Sequence, residues 1–181
     1  MEFVPLEIIG ALGIISESHL DSRGSLTRVW DAESPLGSFN LVQSSVVLNP
    51  KANTLRGLHF QTFPFSENKV IQCISGRVFD VIIDLREEST TYKKQLAVHL
   101  GPKEKFFGVY IPAGCAHGYL TLVEDSTLIY FMDSKYSAKN SRGLLWSDPS
   151  LEINWPSEPA VISEQDRVWP TLSDFYSKEN F

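Results

Sequence analysis

Apolar and polar positions along this chain alternate over short runs, and no long stretch before the tail carries a helical period. Runs rich in Val, Ile, Phe and Tyr fall at 39–48, 54–61, 69–74, 77–85, 95–100, 106–111, 118–123 and 127–132. Turn-forming residues separate them: Asn49-Pro50, Ser75-Gly76, Gly101-Pro102, Pro112-Ala113-Gly114 and Glu124-Asp125. Ser75-Gly76 between two apolar runs reads as a β-hairpin turn. In 77–85 the odd positions Phe79, Val81, Ile83 and Leu85 are all apolar, while Val78 and Ile82 alternate with Asp80 and Asp84. That asymmetry predicts a strand with one core face. About eight closely spaced strands without intervening helices predict a mainly β protein, an antiparallel jelly-roll barrel, rather than parallel βαβ units.

The last third changes character. Ser147-Asp148-Pro149 and Asn154-Trp155-Pro156 mark loops, and short helices are expected near 163–167 and 173–178. There is no internal repeat and no low-complexity linker, so 1–181 is expected to form a single domain with the tail packed on the barrel.

Composition narrows the partners. A formal charge of −6 argues against nucleic-acid binding, which needs a basic face. Arg23, Arg56 and Lys69 are still enough for a local phosphate pocket. No apolar run approaches membrane-spanning length, and the first residues lack the basic and apolar regions of a signal peptide. The expectation is a soluble cytoplasmic protein. Cys73 and Cys115 form no CxxC or zinc pattern. Cys115 lies two residues before His117, a spacing that invites a nucleophile, but a buried thiol in a reducing compartment is the preferred reading.

The chemistry centres on Thr54-Leu-Arg-Gly-Leu-His-Phe-Gln61. On a strand, Gly57, His59 and Gln61 share one face, a polar and uncrowded one that suits a cavity. Arg56 falls on the other parity unless a bulge at Gly57 re-aims it. His59 changes charge near neutral pH and is the proton-transfer candidate. Phe60 and Gln61 follow it, so the second imidazole of a His-x-His metal pair is absent and no metal is expected. The set suits proton abstraction beside a carbonyl. His59 would be the base, a remote carboxylate its partner, Lys69 the cation at the enolate oxygen, and a tyrosine such as Tyr130 the opposing acid.

These residues carry a resemblance across nearly the whole chain. Asp21-Ser22-Arg23-Gly24, Val42-Gln43, Leu55–Gln61, Lys69-Val70, Asp80-Val81 and Asp84-Leu85-Arg86 belong to it. So do Ile111-Pro112, Ala116-His117-Gly118-Tyr119, Tyr130 with Tyr136, Asp148-Pro149, Ile153-Asn154-Trp155-Pro156 and Ile162-Ser163-Glu164-Gln165-Asp166. In this order they resemble the dTDP-4-dehydrorhamnose 3,5-epimerases of the cupin superfamily.

The resemblance implies a nucleotide-sugar substrate, no cofactor, no metal and a homodimer in which the early Arg-Gly segment reaches the neighbour's site. It implies His59 as base with Asp166 as its partner, Tyr130 as acid and Lys69 beside the C4 oxygen. Arg23, Gln43, Arg56 and His117 match positions that contact the substrate, and Tyr136 a ring lining the pocket. Four positions depart from the family pattern: Leu26 stands for Phe, Arg28 for Glu, Ser45 for Asn and Phe131 for Lys. The altered positions concern the nucleotide more than the reacting centre. The alternatives are an epimerase of C3 only or C5 only, a CDP- or GDP-linked substrate, a ketoisomerase, and a sugar-nucleotide binding module without turnover.

Overall fold

In the computed structural model, residues 1–36 and 39–179 are described. Four short strands open the chain: β1 (Glu2–Pro5), β2 (Leu12–Ile15), β3 (Ser18–Asp21) and β4 (Gly24–Thr27). The middle holds β5 (Gln43–Asn49), β6 (Thr54–Gln61), β7 (Lys69–Ser75) and β8 (Val78–Asp84). It continues with β9 (Gln95–Leu100), β10 (Gly108–Ile111), β11 (Cys115–Thr121) and β12 (Ser126–Met132). Two short strands, β13 (Ser141–Gly143) and β14 (Val161–Ile162), precede helices α1 (Glu164–Arg167) and α2 (Leu172–Glu179).

The strands form two facing sheets, ordered β1-β2-β10-β7-β12-β5 and β13-β6-β11-β8-β9. β14 joins β6 in parallel, while the other strand pairs are antiparallel, and β3 and β4 form a separate hairpin. From β5 to β12 the chain passes from one sheet to the other at every connection except β8 to β9. This is the expected jelly-roll barrel, with one local correction. Ser75-Gly76 does not close a hairpin: β7 lies in the first sheet and β8 in the second. Gly76 has φ of +80° and lets the chain turn between layers against Ser126, where a Cβ would collide.

The barrel core lies between the sheets. Ile71, Cys73, Val109 and Leu128 of the first sheet meet Val78, Ile82 and Tyr119 of the second. The second sheet is also covered on its outer side. Leu58, Phe60, Val81, Ile83 and Ala116 pack there against Leu144, Leu151, Leu172 and Phe175 of the C-terminal segment. The single core face expected for 77–85 is therefore corrected. Both faces of β8 are buried, because the tail supplies the second apolar layer. The first sheet is covered in turn by Leu36 with Trp30 and Phe39, packed on Ile14, Val70 and Phe131.

Candidate active site

At the open end of the barrel lies a cavity of 790 Å³, walled by both sheets and by α1. This is within the range of sites that hold a small-molecule ligand. Of the nine residues expected at a site, seven line it: Gln43, Arg56, His59, Lys69, Tyr130, Tyr136 and Asp166.

The aim of Arg56 and His59 depends on a bulge. His117 of β11 pairs with His59, but Tyr119 pairs with Arg56, so Gly57 and Leu58 together face Gly118. Gly57 adopts φ of +125°, and a Cβ there would lie 2.5 Å from the Gly118 Cα. The extra residue puts Arg56 and His59 on the same cavity wall despite their opposite parity, while Leu58 and Phe60 enter the outer core.

His59 Nε2 lies 2.6 Å from Asp166 Oδ1. The imidazole is 42% exposed and the carboxylate only 5%. Ser163 caps α1 by accepting a hydrogen bond from the Asp166 N–H, which fixes the carboxylate in the first turn. Asp166 also accepts from the Gly57 N–H at 3.3 Å and from Trp169 Nε1 at 3.1 Å. Burial pushes the Asp166 carboxyl up, but the hydrogen bonds from His59, Gly57 and Trp169 outweigh it and hold it below the ordinary value. Asp166 therefore stays ionised at neutral pH and fixes the Nε2 edge of the ring.

Lys69, at the start of β7, is nearly buried, with Nζ 3.0 Å from Glu67 Oε1 and 3.4 Å from the His59 carbonyl oxygen. Tyr130 comes from β12, in the sheet opposite His59. Burial first, then Tyr119 and Asp80, push its phenol well above the ordinary value, with Arg56 pulling the other way. The hydroxyl is thus held protonated at neutral pH. Beside it, Asn49 Oδ1 accepts from Arg56 Nε at 2.9 Å and from the Tyr119 hydroxyl at 3.2 Å.

At the rim, Gln43 Oε1 accepts the Tyr136 N–H at 3.2 Å. Two expected residues lie elsewhere. Arg23 sits in the β3–β4 turn, bound to Asp21 with its side chain 88% exposed, and is outside the cavity lining. His117 is buried within the barrel, 2.7 Å from Asp80 and edge-on to Tyr130, and does not line the cavity either. Burial raises Asp80 against the pull of His117.

Sequence reading missed Trp169, Glu67 and Asn49. A donor to Asp166 three residues beyond it, and an acid two residues before Lys69, are signals too short to distinguish from ordinary loop residues. Cys115 is buried, and burial pushes its thiol up to about 12, which agrees with the inert reading. No three His, Cys, Asp or Glu side chains among the described residues are grouped as metal ligands would be. Of the departures, Ser45 lines the cavity, Phe131 packs under Trp30, and Leu26 and Arg28 line a separate groove beside β2.

A carboxylate-paired imidazole on one sheet, a protonated phenol on the other and a lysine in the same cavity make an arrangement able to move protons on opposite faces of a small molecule. The family model for dTDP-4-dehydrorhamnose 3,5-epimerase matches residues 5–174. A dTDP-4-dehydrorhamnose 3,5-epimerase of Sinorhizobium fredii is 38% identical over 158 residues, covering 85% of this chain and 80% of the relative. The crystal structure of dTDP-4-dehydrorhamnose 3,5-epimerase from Bacillus anthracis, with TDP and PPi bound, aligns with a TM-score of 0.88 at 33% identity. That alignment covers 94% of this chain and 99% of the other. NovW of Streptomyces spheroides, a 4-keto-6-deoxy sugar epimerase, aligns with a TM-score of 0.91 at 27% identity, covering 99% and 91%.

Proposed function

The chain belongs to the dTDP-4-dehydrorhamnose 3,5-epimerase family, and from that membership we propose how its residues divide the work. The protein is an isomerase that epimerises a dTDP-linked 4-keto-6-deoxy sugar at C3 and C5. One observation carries the assignment of roles: His59, paired with Asp166 of α1, and Tyr130 line one cavity from opposing sheets. Inversion at carbon needs this, since the proton must leave one face and return to the other.

The C4 ketone acidifies the neighbouring C–H bonds. His59 Nδ1 takes the proton, and the C–H electron pair moves into the carbonyl to give an enolate. The Lys69 ammonium stabilises the oxygen as its charge develops. Tyr130 then delivers its hydroxyl proton to the opposite face of the carbon, the enolate collapses to the ketone, and the inverted centre results. Imidazolium and phenolate return to neutral by exchange with water, so no electrons are gained or lost. The same pair serves C3 and C5, which flank the ketone.

Arg56, Gln43 and Tyr136 are assigned to the sugar and its diphosphate. Arg23 is assigned to a second copy's site rather than to its own. Its exposed place on the β3–β4 hairpin supports that, as do Leu20 and Leu26 exposed on the same hairpin. β5 ends the first sheet and carries exposed Val46 and Leu48, an edge suited to burial in a homodimer. His117 acts from below the floor, through its packing on Tyr130, rather than on the substrate directly. No described helix is long and apolar enough to cross a membrane, and a water-soluble sugar nucleotide as substrate supports a cytoplasmic place.

The nucleotide is tested by calorimetric titration with TDP, UDP, CDP and GDP. TDP is expected to bind at least tenfold more tightly than the others, about 1.4 kcal/mol. Tighter binding of CDP or GDP would overturn the thymidine assignment and leave the acid–base assignment intact.

A further inference from the structure

Gln61, which shares its strand face with Gly57 and His59, is 5% exposed, and every polar atom of its amide is engaged. Oε1 accepts the Ser137 N–H at 2.6 Å. Nε2 faces Glu67 Oε2 at 2.7 Å, the Phe65 carbonyl at 3.1 Å and the Lys135 carbonyl at 3.2 Å. The amide therefore grips the backbone on both sides of Tyr136. It also holds the carboxylate whose other oxygen holds Lys69. Lys69 and Glu67 side chains are 10% and 11% exposed, so the pair is largely shielded from water.

We propose that Glu67 and Gln61 are positioning residues: Glu67 aims the Lys69 ammonium at the reacting oxygen, and Gln61 couples that aim to the seating of substrate against Tyr136. The proposal rests on the reading in which Lys69 meets the enolate. A lysine side chain has several rotatable bonds, and a cation stabilises developing charge only if it is already in place when the charge appears. Glu67 removes that freedom from one side, the His59 carbonyl from another, and the remaining N–H is left for the cavity. Gln61 removes the freedom of Glu67. Its second grip, at residues 135 and 137, reaches the rim ring without touching the cation. One amide thus joins the segment that seats the substrate to the group that serves its carbonyl.

Kinetics of four single variants and two double variants test this, with dTDP-4-dehydro-6-deoxy-glucose as substrate. Glu67→Gln keeps the shape and one oxygen for Lys69 but loses the charge and the second oxygen that accepts from Gln61. Its kcat is expected to fall about tenfold or more, with KM within about threefold of the parent. In the Lys69→Met background the same change is expected to cost nothing further, because Glu67 acts only through Lys69. Gln61→Leu is expected to lower kcat and also to raise KM, and the rise in KM is expected to vanish in the Tyr136→Ala background.

Full kcat in Glu67→Gln, or losses that multiply in the Lys69 double variant, would overturn the proposal while leaving Lys69 in its role. Full activity of Lys69→Met would instead overturn the enolate reading itself. If Gln61→Leu does not fold, the Glu67 pair of variants still decides the positioning role. A merely structural contribution would lower the melting temperature and leave the kcat of the folded enzyme unchanged.

Discussion

Asp166 is 107 residues from His59 along the chain and 2.6 Å from it in space. The cap at Ser163 and the bulge at Gly57 bring them together, and Trp169 Nε1 donates to the same carboxylate oxygen that His59 meets. A buried carboxylate thus meets a half-exposed imidazole at the cavity wall. Asp166→Asn keeps the size but removes the charge that stabilises the imidazolium. Its kcat is expected to fall about 10²- to 10⁴-fold, measured by steady-state epimerisation, with little change in nucleotide affinity. An unchanged kcat would remove Asp166 from the mechanism.

Tyr130→Phe separates the two halves of the reaction. The base and the enolate cation remain, so hydrogen at the carbons beside the ketone should still exchange with solvent. Inversion should drop by about 10²-fold or more, because the opposite face has lost its donor. Full epimerisation by this variant would assign the acid elsewhere.

The depressed Asp166 carboxyl has a signed consequence for stability. Its folded value lies below the ordinary 3.8, so its ionised form stabilises the fold above that value. The contribution disappears as pH falls through the folded value. Urea midpoints of the parent and of Asp166→Asn should therefore differ most above about pH 5 and converge in stronger acid. A gap that widens on acidification would contradict the account.

Gly57→Ala tests the bulge. The new methyl would sit 2.5 Å from the Gly118 Cα and 2.8 Å from the His117 carbonyl oxygen, on a backbone with φ of +125°. Destabilisation of about 1–3 kcal/mol or more is expected from denaturant unfolding, with loss of activity in the protein that still folds. An unchanged midpoint would mean that the bulge is not under this constraint.

Cys73 and Cys115 are both buried, and burial pushes both thiols up to about 12. Neither should react with a thiol reagent at neutral pH until urea unfolds the chain. Cys115→Ser should retain epimerisation. Rapid modification of the native protein with loss of activity would revive the nucleophile reading.

Much of this was legible in the sequence, for identifiable reasons. β6 and β9 have the bounds that alternation predicts, because apolar runs and turn residues coincide there. Arg56 could be assigned to the cavity only conditionally, since its aim depends on a glycine bulge whose partner, Gly118, lies far along the chain. β3 and β4 were invisible because every residue of β3 and most of β4 are exposed, leaving no apolar face to read. Ser75-Gly76 carries a turn signal that is correct locally, but local chemistry does not say which sheet the next strand enters. The alternation in β8 suggested one core face because nothing in those residues reveals that Leu151, Leu172 and Phe175 will cover the other. Likewise Glu67 and Trp169 matter through what they touch, and contact across the fold leaves no local pattern.

The central claim is that one cavity moves protons at both carbons beside the C4 ketone. Incubating the protein with dTDP-4-dehydro-6-deoxy-glucose in heavy water, and locating deuterium in the sugar by NMR, tests it most directly. The account predicts label at C3 and at C5, with both centres inverted, and no such label with His59→Ala. Label at a single carbon would reduce the enzyme to a mono-epimerase, and bound sugar nucleotide with no label at either carbon would contradict the catalytic account altogether.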